Sequence, residues 1–213
     1  MLTLFHTAST NVEVFDALLK QLAPETLVTH VVDEAVLREA LAAGAVTPHL
    51  VQHVNAAMAN VLRDSSFVLC TCSTIGGLAE AAGHNVLRVD RPMVEKALGI
   101  GRRIAIAFTL KSTLVPTREL VEQVSAEMHR PVEICEWFIE SAWPLMQRGD
   151  KVGYLAEIAR CVKANMQREP VDAVLLAQAS MAGAEPLCAD LVVPVFSSPR
   201  LGLEAALKRI GVK

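Results

Sequence analysis

The sequence predicts an α/β fold built from two similar parallel-sheet half-domains, and three observations predict it. Short apolar runs alternate with amphipathic helical stretches along all 213 residues, the pattern of a mostly parallel sheet with helices packed on it. About half of the residues are hydrophobic and few are aromatic, with Ala, Leu and Val dominating; that suits strands buried on both faces. The two halves of the chain also repeat one another.

Met1–Phe5 reads as a short strand. Thr10 is expected to cap the helix that follows, with Glu13 completing a capping box and Phe15, Leu18, Leu19 and Leu22 forming its apolar stripe. Leu27–Val32 is a second strand. Asp33 caps a short helix that Gly44 ends, and Thr47-Pro48 starts another that runs to about Arg63. Phe67–Thr71 is a strand, a helix opens at Gly76, Val86–Val89 is a strand and Met93–Leu98 a helix. Gly99–Gly101 looks like a joint. Arg103–Phe108 then restarts the pattern as a strand, followed by a helix over Leu114–Met128 with Pro116 in its first turn, where proline is tolerated. Val132–Cys135 is a strand, and Phe138–Met146 and Tyr154–Met166 read as helices. Val171–Ala177 is a strand, Met181–Cys188 a helix, Leu191–Val195 a strand and Leu201–Arg209 the closing helix.

Three segments carry the repeat. Phe5-His6-Thr7-Ala8-Ser9-Thr10 lies over Phe108-Thr109-Leu110-Lys111-Ser112-Thr113, an offset of 103. Residues 59–64 lie over 164–169, an offset of 105, and residues 68–74 lie over 174–180, an offset of 106 that also sets Gly77 on Gly183. The expected domains are therefore 1–98, with about 195–213 packing back on it, and 99–194, with the active cleft between them. In that arrangement Gln178 is the counterpart of Cys72.

Composition excludes several classes. A net charge of −3 argues against a nucleic-acid partner. The longest stretch free of Asp, Glu, Lys and Arg, Ala40–Leu62, holds Pro48, His49, Gln52, His53, Asn55 and Asn60, and so is not a membrane span. Five cysteines without CxxC spacing, and no secretory signal at Met1–Thr10, point to free thiols in a reducing cytoplasm. There is no G-x-S-x-G elbow, P-loop or dinucleotide glycine fingerprint, and no cofactor is expected. His49 and His53 stand four apart on a helix, but without a third ligand no metal is expected.

The stretch Val68–Glu80 carries the chemistry. A strand ending in Cys72-Ser73-Thr74 and opening into a helix presents a sulfur at the carboxyl edge of the sheet, where open α/β sheets bind ligands. It also turns helix N–H groups toward the same spot, a setting that favours a thiolate and an anionic substrate. The plainer alternative for Cys72 is a buried thiol that only packs. Cys70, Cys135, Cys161 and Cys188 are expected to pack.

With those residues in view, the sequence resembles the aspartate/glutamate/hydantoin racemase superfamily. That family has two such half-domains, with a catalytic Cys on a Cys-Asn-Thr segment in the first and on a Gly-Cys-Thr segment in the second. Cys72-Ser73-Thr74 is similar to the first segment, and Ala177-Gln178-Ala179-Ser180 stands where the second belongs. Phe5-His6-Thr7-Ala8 is similar to the family's Phe-Asp-Ser-Gly, whose Asp orients the first Cys. The superfamily's decarboxylases work with a single Cys, but theirs lies in the second half. The resemblance implies an isomerase of small carboxylic or amino acids, and a homodimer.

Two-base racemisation needs an acid and a base on opposite faces of the α-carbon, and Gln178 is neither. What remains is a single-cysteine racemase-like proton transfer at the carbon alpha to a carboxylate. The alternatives are a one-Cys decarboxylase or lyase, a cis–trans isomerase of a dicarboxylate, or a carboxylate-binding module without chemistry. His6 is expected to lower the Cys72 pKa or to supply the second proton, unless it is a hydrogen-bonded structural histidine. Thr7, Ser9, Thr10, Ser73, Thr74, Thr109, Ser112, Thr113 and Ser180 fall at strand-to-helix turns, where they suit a substrate carboxylate, though capping alone explains several.

Overall fold

Each half of the chain folds around its own four-stranded, all-parallel sheet. The computed structural model describes residues 1–212. Its contacts divide into a first unit of Met1–Pro92 together with the stretch from Pro199, and a second unit of Met93–Ser198. The division falls near the start of a helix, Arg91–Ile100, ahead of the glycines at 99 and 101.

The first unit runs β1 (Leu2–His6), α1 (Thr10–Leu22), β2 (Val28–Val32), α2 (Glu34–Ala43), α3 (Pro48–Asp64), β3 (Phe67–Cys70), α4 (Gly76–Ala81) and β4 (Val86–Arg88). Its strand order is β2-β1-β3-β4. Because side chains alternate across a strand, β1 feeds two cores. Leu2 and Leu4 pack with Phe15, Leu19, Leu69 and Leu87, while Phe5 packs with Val68, Cys70, Leu50, Val54 and Met58 on the other face. Asp33 accepts from the Ala35 N–H at the start of α2, Gly44 ends that helix at φ 67°, and Thr47 caps α3 ahead of Pro48. The box expected at Thr10 is absent. Ser9 occupies the cap without a side-chain cap bond, and its own N–H donates to Glu34 instead.

The second unit holds α5 (Arg91–Ile100, whose first two residues count with the first unit), β5 (Arg103–Phe108), α6 (Lys111–Glu127), β6 (Glu133–Phe138), α7 (Trp143–Gln147), α8 (Lys151–Arg168), β7 (Ala173–Leu176) and β8 (Val195–Ser197), in the order β6-β5-β7-β8. Four expected elements change. Helix α6 starts at Lys111 rather than Leu114, so Pro116 lies inside it and not in its first turn. Phe138 pairs with Phe108 and ends β6, so only Trp143–Gln147 of the expected helix forms. Met181–Cys188 becomes two 3₁₀ turns, Ala179–Ala184 and Pro186–Cys188, because Pro186 has no N–H to continue a helix. The last strand starts at Val195, after Pro194. Helix α9 (Ser198–Arg209) then packs Leu203, Ala206 and Leu207 on the first sheet. Among the described residues no helix is long and apolar enough to cross a membrane.

The two sheets repeat each other pair by pair, and their registers correct the sequence overlay. Phe5 pairs with Cys70 and Val31; Ala107 pairs with Leu176 and Trp137. The Thr71 N–H donates to the Phe5 carbonyl as the Ala177 N–H does to that of Ala107. The offset is thus 102 for β1 onto β5 (107 − 5) and 106 for β3 onto β7 (176 − 70). The F-x-x-x-S-T overlay at 103 is one residue out, which on a strand means the wrong face. By register His6 matches Phe108, Thr7 matches Thr109, and Cys72 matches Gln178.

Candidate active site

Cys72 lies two residues beyond β3, on the face that carries Cys70, Ile75 and Phe5. It is 9% exposed. The register sets Thr7 beside it, near enough for the Thr7 side chain to lower the sulfur's pKa. The backbone N–H groups of Ile75 and Thr74 are also turned to it. Burial pushes the thiol up from its ordinary value; those three donors pull it back, and the charge of Asp90 adds to the rise. The expected resting thiolate is therefore corrected to a resting thiol. Helix α4 is only six residues long, so its dipole supplies little; the donors of the turn itself face the sulfur. Ser73 and Thr74 are buried here, and Ser73 Oγ has no hydrogen-bond partner among the described residues.

Beneath this turn lies an ion pair that sequence reasoning missed. Arg88, at the end of β4, donates from Nε to Asp90 Oδ1 at 2.7 Å and from Nη2 to Asp90 Oδ2 at 3.0 Å, and both residues are buried. Its Nη2 also reaches the Ser73 carbonyl at 3.4 Å. Gly76 is required where the arginine passes: a Cβ there would stand 2.8 Å from Nε and 3.1 Å from the Arg88 Cβ. The readable signal was Arg88 and Asp90 two apart on an apolar strand, hence on one face.

His6 does not pair with Cys72. It sits on the opposite face of β1, 0% exposed, against Phe15. Thr71 donates its hydroxyl to the Phe5 carbonyl at 3.1 Å, and so accepts from His6 Nδ1 at 2.8 Å. That fixes the tautomer: His6 Nε2 accepts from His30 Nδ1 at 2.9 Å. His30 Nε2 lies 3.1 Å from Asp16 Oδ1, close enough to pair but outside hydrogen-bond geometry. Burial, with His30 adding and Asp16 opposing, lowers the His6 pKa to about 4. Unfolded His6 titrates near 6.5, so its neutral burial stabilises the fold above that pH. The stabilisation is lost as pH falls through 6.5 toward 4, a change of about 3 kcal/mol. His6→Phe, which copies Phe108, is expected to flatten that part of the stability curve; urea midpoints at pH 7, 5.5 and 4 check it.

The position matching Cys72 in the second unit is equally built. Gln178 is 8% exposed, and its Oε1 accepts from the Thr109 N–H at 2.7 Å, the Thr109 hydroxyl at 2.9 Å and the Leu110 N–H at 3.2 Å. Thr109 thus serves Gln178 as Thr7 serves Cys72. Tyr154 donates or accepts at Ser180 Oγ (2.9 Å) and at Thr109 Oγ1 (3.5 Å). Ser112 and Thr113 are buried in the first turn of α6, whereas Ser9 and Thr10 are exposed.

His49 and His53 are held by carboxylates, at 2.7 Å from Glu39 and 3.0 Å from Asp33 respectively. No group of residues suited to holding a metal ion occurs among the described residues.

No protein-family model matches the chain, and no curated protein matches it by sequence. Solved structures do match by fold. Allantoin racemase from Pseudomonas fluorescens superposes with a TM-score of 0.65 at 15% identity, over 100% of this chain and 92% of that one. Glutamate racemase from Francisella tularensis, in complex with D-glutamate, gives 0.73 at 12% identity, over 98% and 81%. Arylmalonate decarboxylase gives 0.52 at 16% identity, over 99% and 93%.

Proposed function

We propose that this chain, which has the fold of the aspartate/glutamate/hydantoin racemase superfamily, is an enzyme that moves one proton at the carbon alpha to the carboxylate of a small acid, with Cys72 as the acting thiol. One observation carries the reading. Cys72 sits buried on the turn between β3 and α4 with Thr7 set beside it by the register, and the Thr7 side chain and the N–H groups of Ile75 and Thr74 lower the pKa that burial raises. Such donors stabilise the charge the sulfur acquires when its proton leaves. As a thiolate Cys72 takes the α-proton, leaving an enediolate; as a thiol it returns a proton to the same carbon face. The step balances with no other reactant and gives exchange with retention, because Gln178 has no titrating proton.

A second reading is favoured by the resting thiol: Cys72 protonates the enediolate left when a malonate-type acid loses carbon dioxide. Incubation in D2O with aspartate, glutamate, methylmalonate and maleate, followed by proton NMR, tests both. Deuterium at the α-carbon without release of carbon dioxide supports the first reading. Release of carbon dioxide with one deuterium in the product supports the second. Rates equal in wild type and Cys72→Ser would overturn both.

A further inference from the structure

Gln178 is more than the absence of a cysteine. Three donors fall on its Oε1, and two of them are backbone N–H groups that could not face an amide NH2. The orientation of the side chain is therefore fixed by the turn, with the oxygen turned to Thr109 and Leu110. The Nε2 group is left with two hydrogens and no partner among the described residues, and although the residue is only 8% exposed this atom is not closed off from solvent. With its oxygen held by the turn, the amide presents these two hydrogens to whatever acceptor enters from solvent. Near the Thr109–Leu110 turn, Ser112 Oγ, in the first turn of the 17-residue helix α6, is buried and has no partner among the described residues. The residue at the start of that helix, Leu110, contributes no side-chain cap.

We infer that Gln178 is a substrate-binding donor: its Nε2 hydrogens take a carboxylate oxygen, and the residue takes no part in proton transfer. The choice of a carboxylate rests on the proposed function; the donor itself rests on the amide geometry. A locked amide is well suited to this role. Its oxygen cannot turn toward the anion without abandoning three hydrogen bonds, so the anion always meets the donor end. A thiol at the same place would titrate; the amide binds without exchanging its charge. The substitution thus converts a proton-transfer position into a recognition position while keeping its anchor on Thr109.

The test uses the full chain with malonate as the probe and neutral malonamide as its control. The side-chain NH2 pair of Gln178, assigned by its loss in Gln178→Ala, is followed by 15N-edited NMR. It is expected to shift on addition of malonate, but not malonamide, in wild type and equally in Cys72→Ser. Gln178→Glu keeps an oxygen for Thr109 and Leu110 but replaces the donor with a charge. It should weaken malonate binding by roughly tenfold or more at an unchanged thermal midpoint. An NH2 pair unmoved at saturating malonate, malonate binding unaltered in Gln178→Glu, or no malonate binding by wild type would each overturn the inference. Deuterium exchange that depends on Cys72 would still support the proposed function in those cases. A shifted NH2 pair in a protein whose exchange ignores Cys72 would overturn that function alone.

Discussion

Cys72→Ala is expected to remove α-proton exchange, lowering the rate by about 100- to 10,000-fold, the usual worth of a positioned proton-transfer group. Cys72→Ser should fall nearly as far, since a hydroxyl is far less acidic than a thiol. The measurement is deuterium incorporation against time for the best acid of the panel. Its pH dependence separates the two readings of the chemistry. If the thiolate is the starting form, kcat/KM rises with pH, because burial holds Cys72 above the ordinary thiol range. If the thiol is the starting form, kcat/KM falls as pH rises through the raised pKa. Thr7→Val removes a donor that pulls the pKa down, so the iodoacetamide reaction of Cys72 should move to higher pH. An unchanged alkylation profile would mean that Thr7 does not support the sulfur.

The largest loss of stability is expected from Asp90→Ala. It strips the bidentate partner from a guanidinium buried under the Cys72 turn, and breaking a buried pair from one side costs about 3–5 kcal/mol. Arg88→Met alone leaves the carboxylate stranded and should cost as much. The double variant Arg88→Met, Asp90→Leu is expected to recover most of the loss, since both charges leave together. Urea midpoints with a constant m-value check this. Equal losses in all three variants would show that the pair does not act as a unit.

Much of the fold was legible in the residues, for definite reasons. The apolar runs of β1, β3, β5 and β7 are buried throughout or nearly so, and burial on both faces is what a continuous apolar run signals. Asp33, Thr47 and Gly44 cap where their chemistry demands. Thr10 failed because a local signature competes with tertiary contacts, and Glu34 from α2 took the Ser9 N–H. At the site, Cys72 and Gln178 fell on matching positions because the offset of 106 was right for their strands. His6 was misjudged because Phe5 pairs with Cys70, so Thr7 stands beside Cys72 and His6, one residue earlier, points to the opposite face. Arg88 and Asp90 were overlooked because charges on a short apolar strand read as an exposed edge until their mutual pairing is seen.

The passage of Arg88 beside Gly76 also constrains the order in which this chain can change. Arg88 pairs with Cys70 and Ser197 with Leu176, so these two residues hold matching places at the ends of β4 and β8. At the offset of 106 the residue that matches Gly76 is Ala182. One half combines a long side chain with no Cβ; the other combines a short side chain with a methyl group. A descendant could therefore exchange the first combination for the second only by shortening residue 88 before enlarging residue 76. The reverse order passes through an intermediate with a methyl group 2.8 Å from a guanidinium nitrogen, so the two positions are historically contingent on one another.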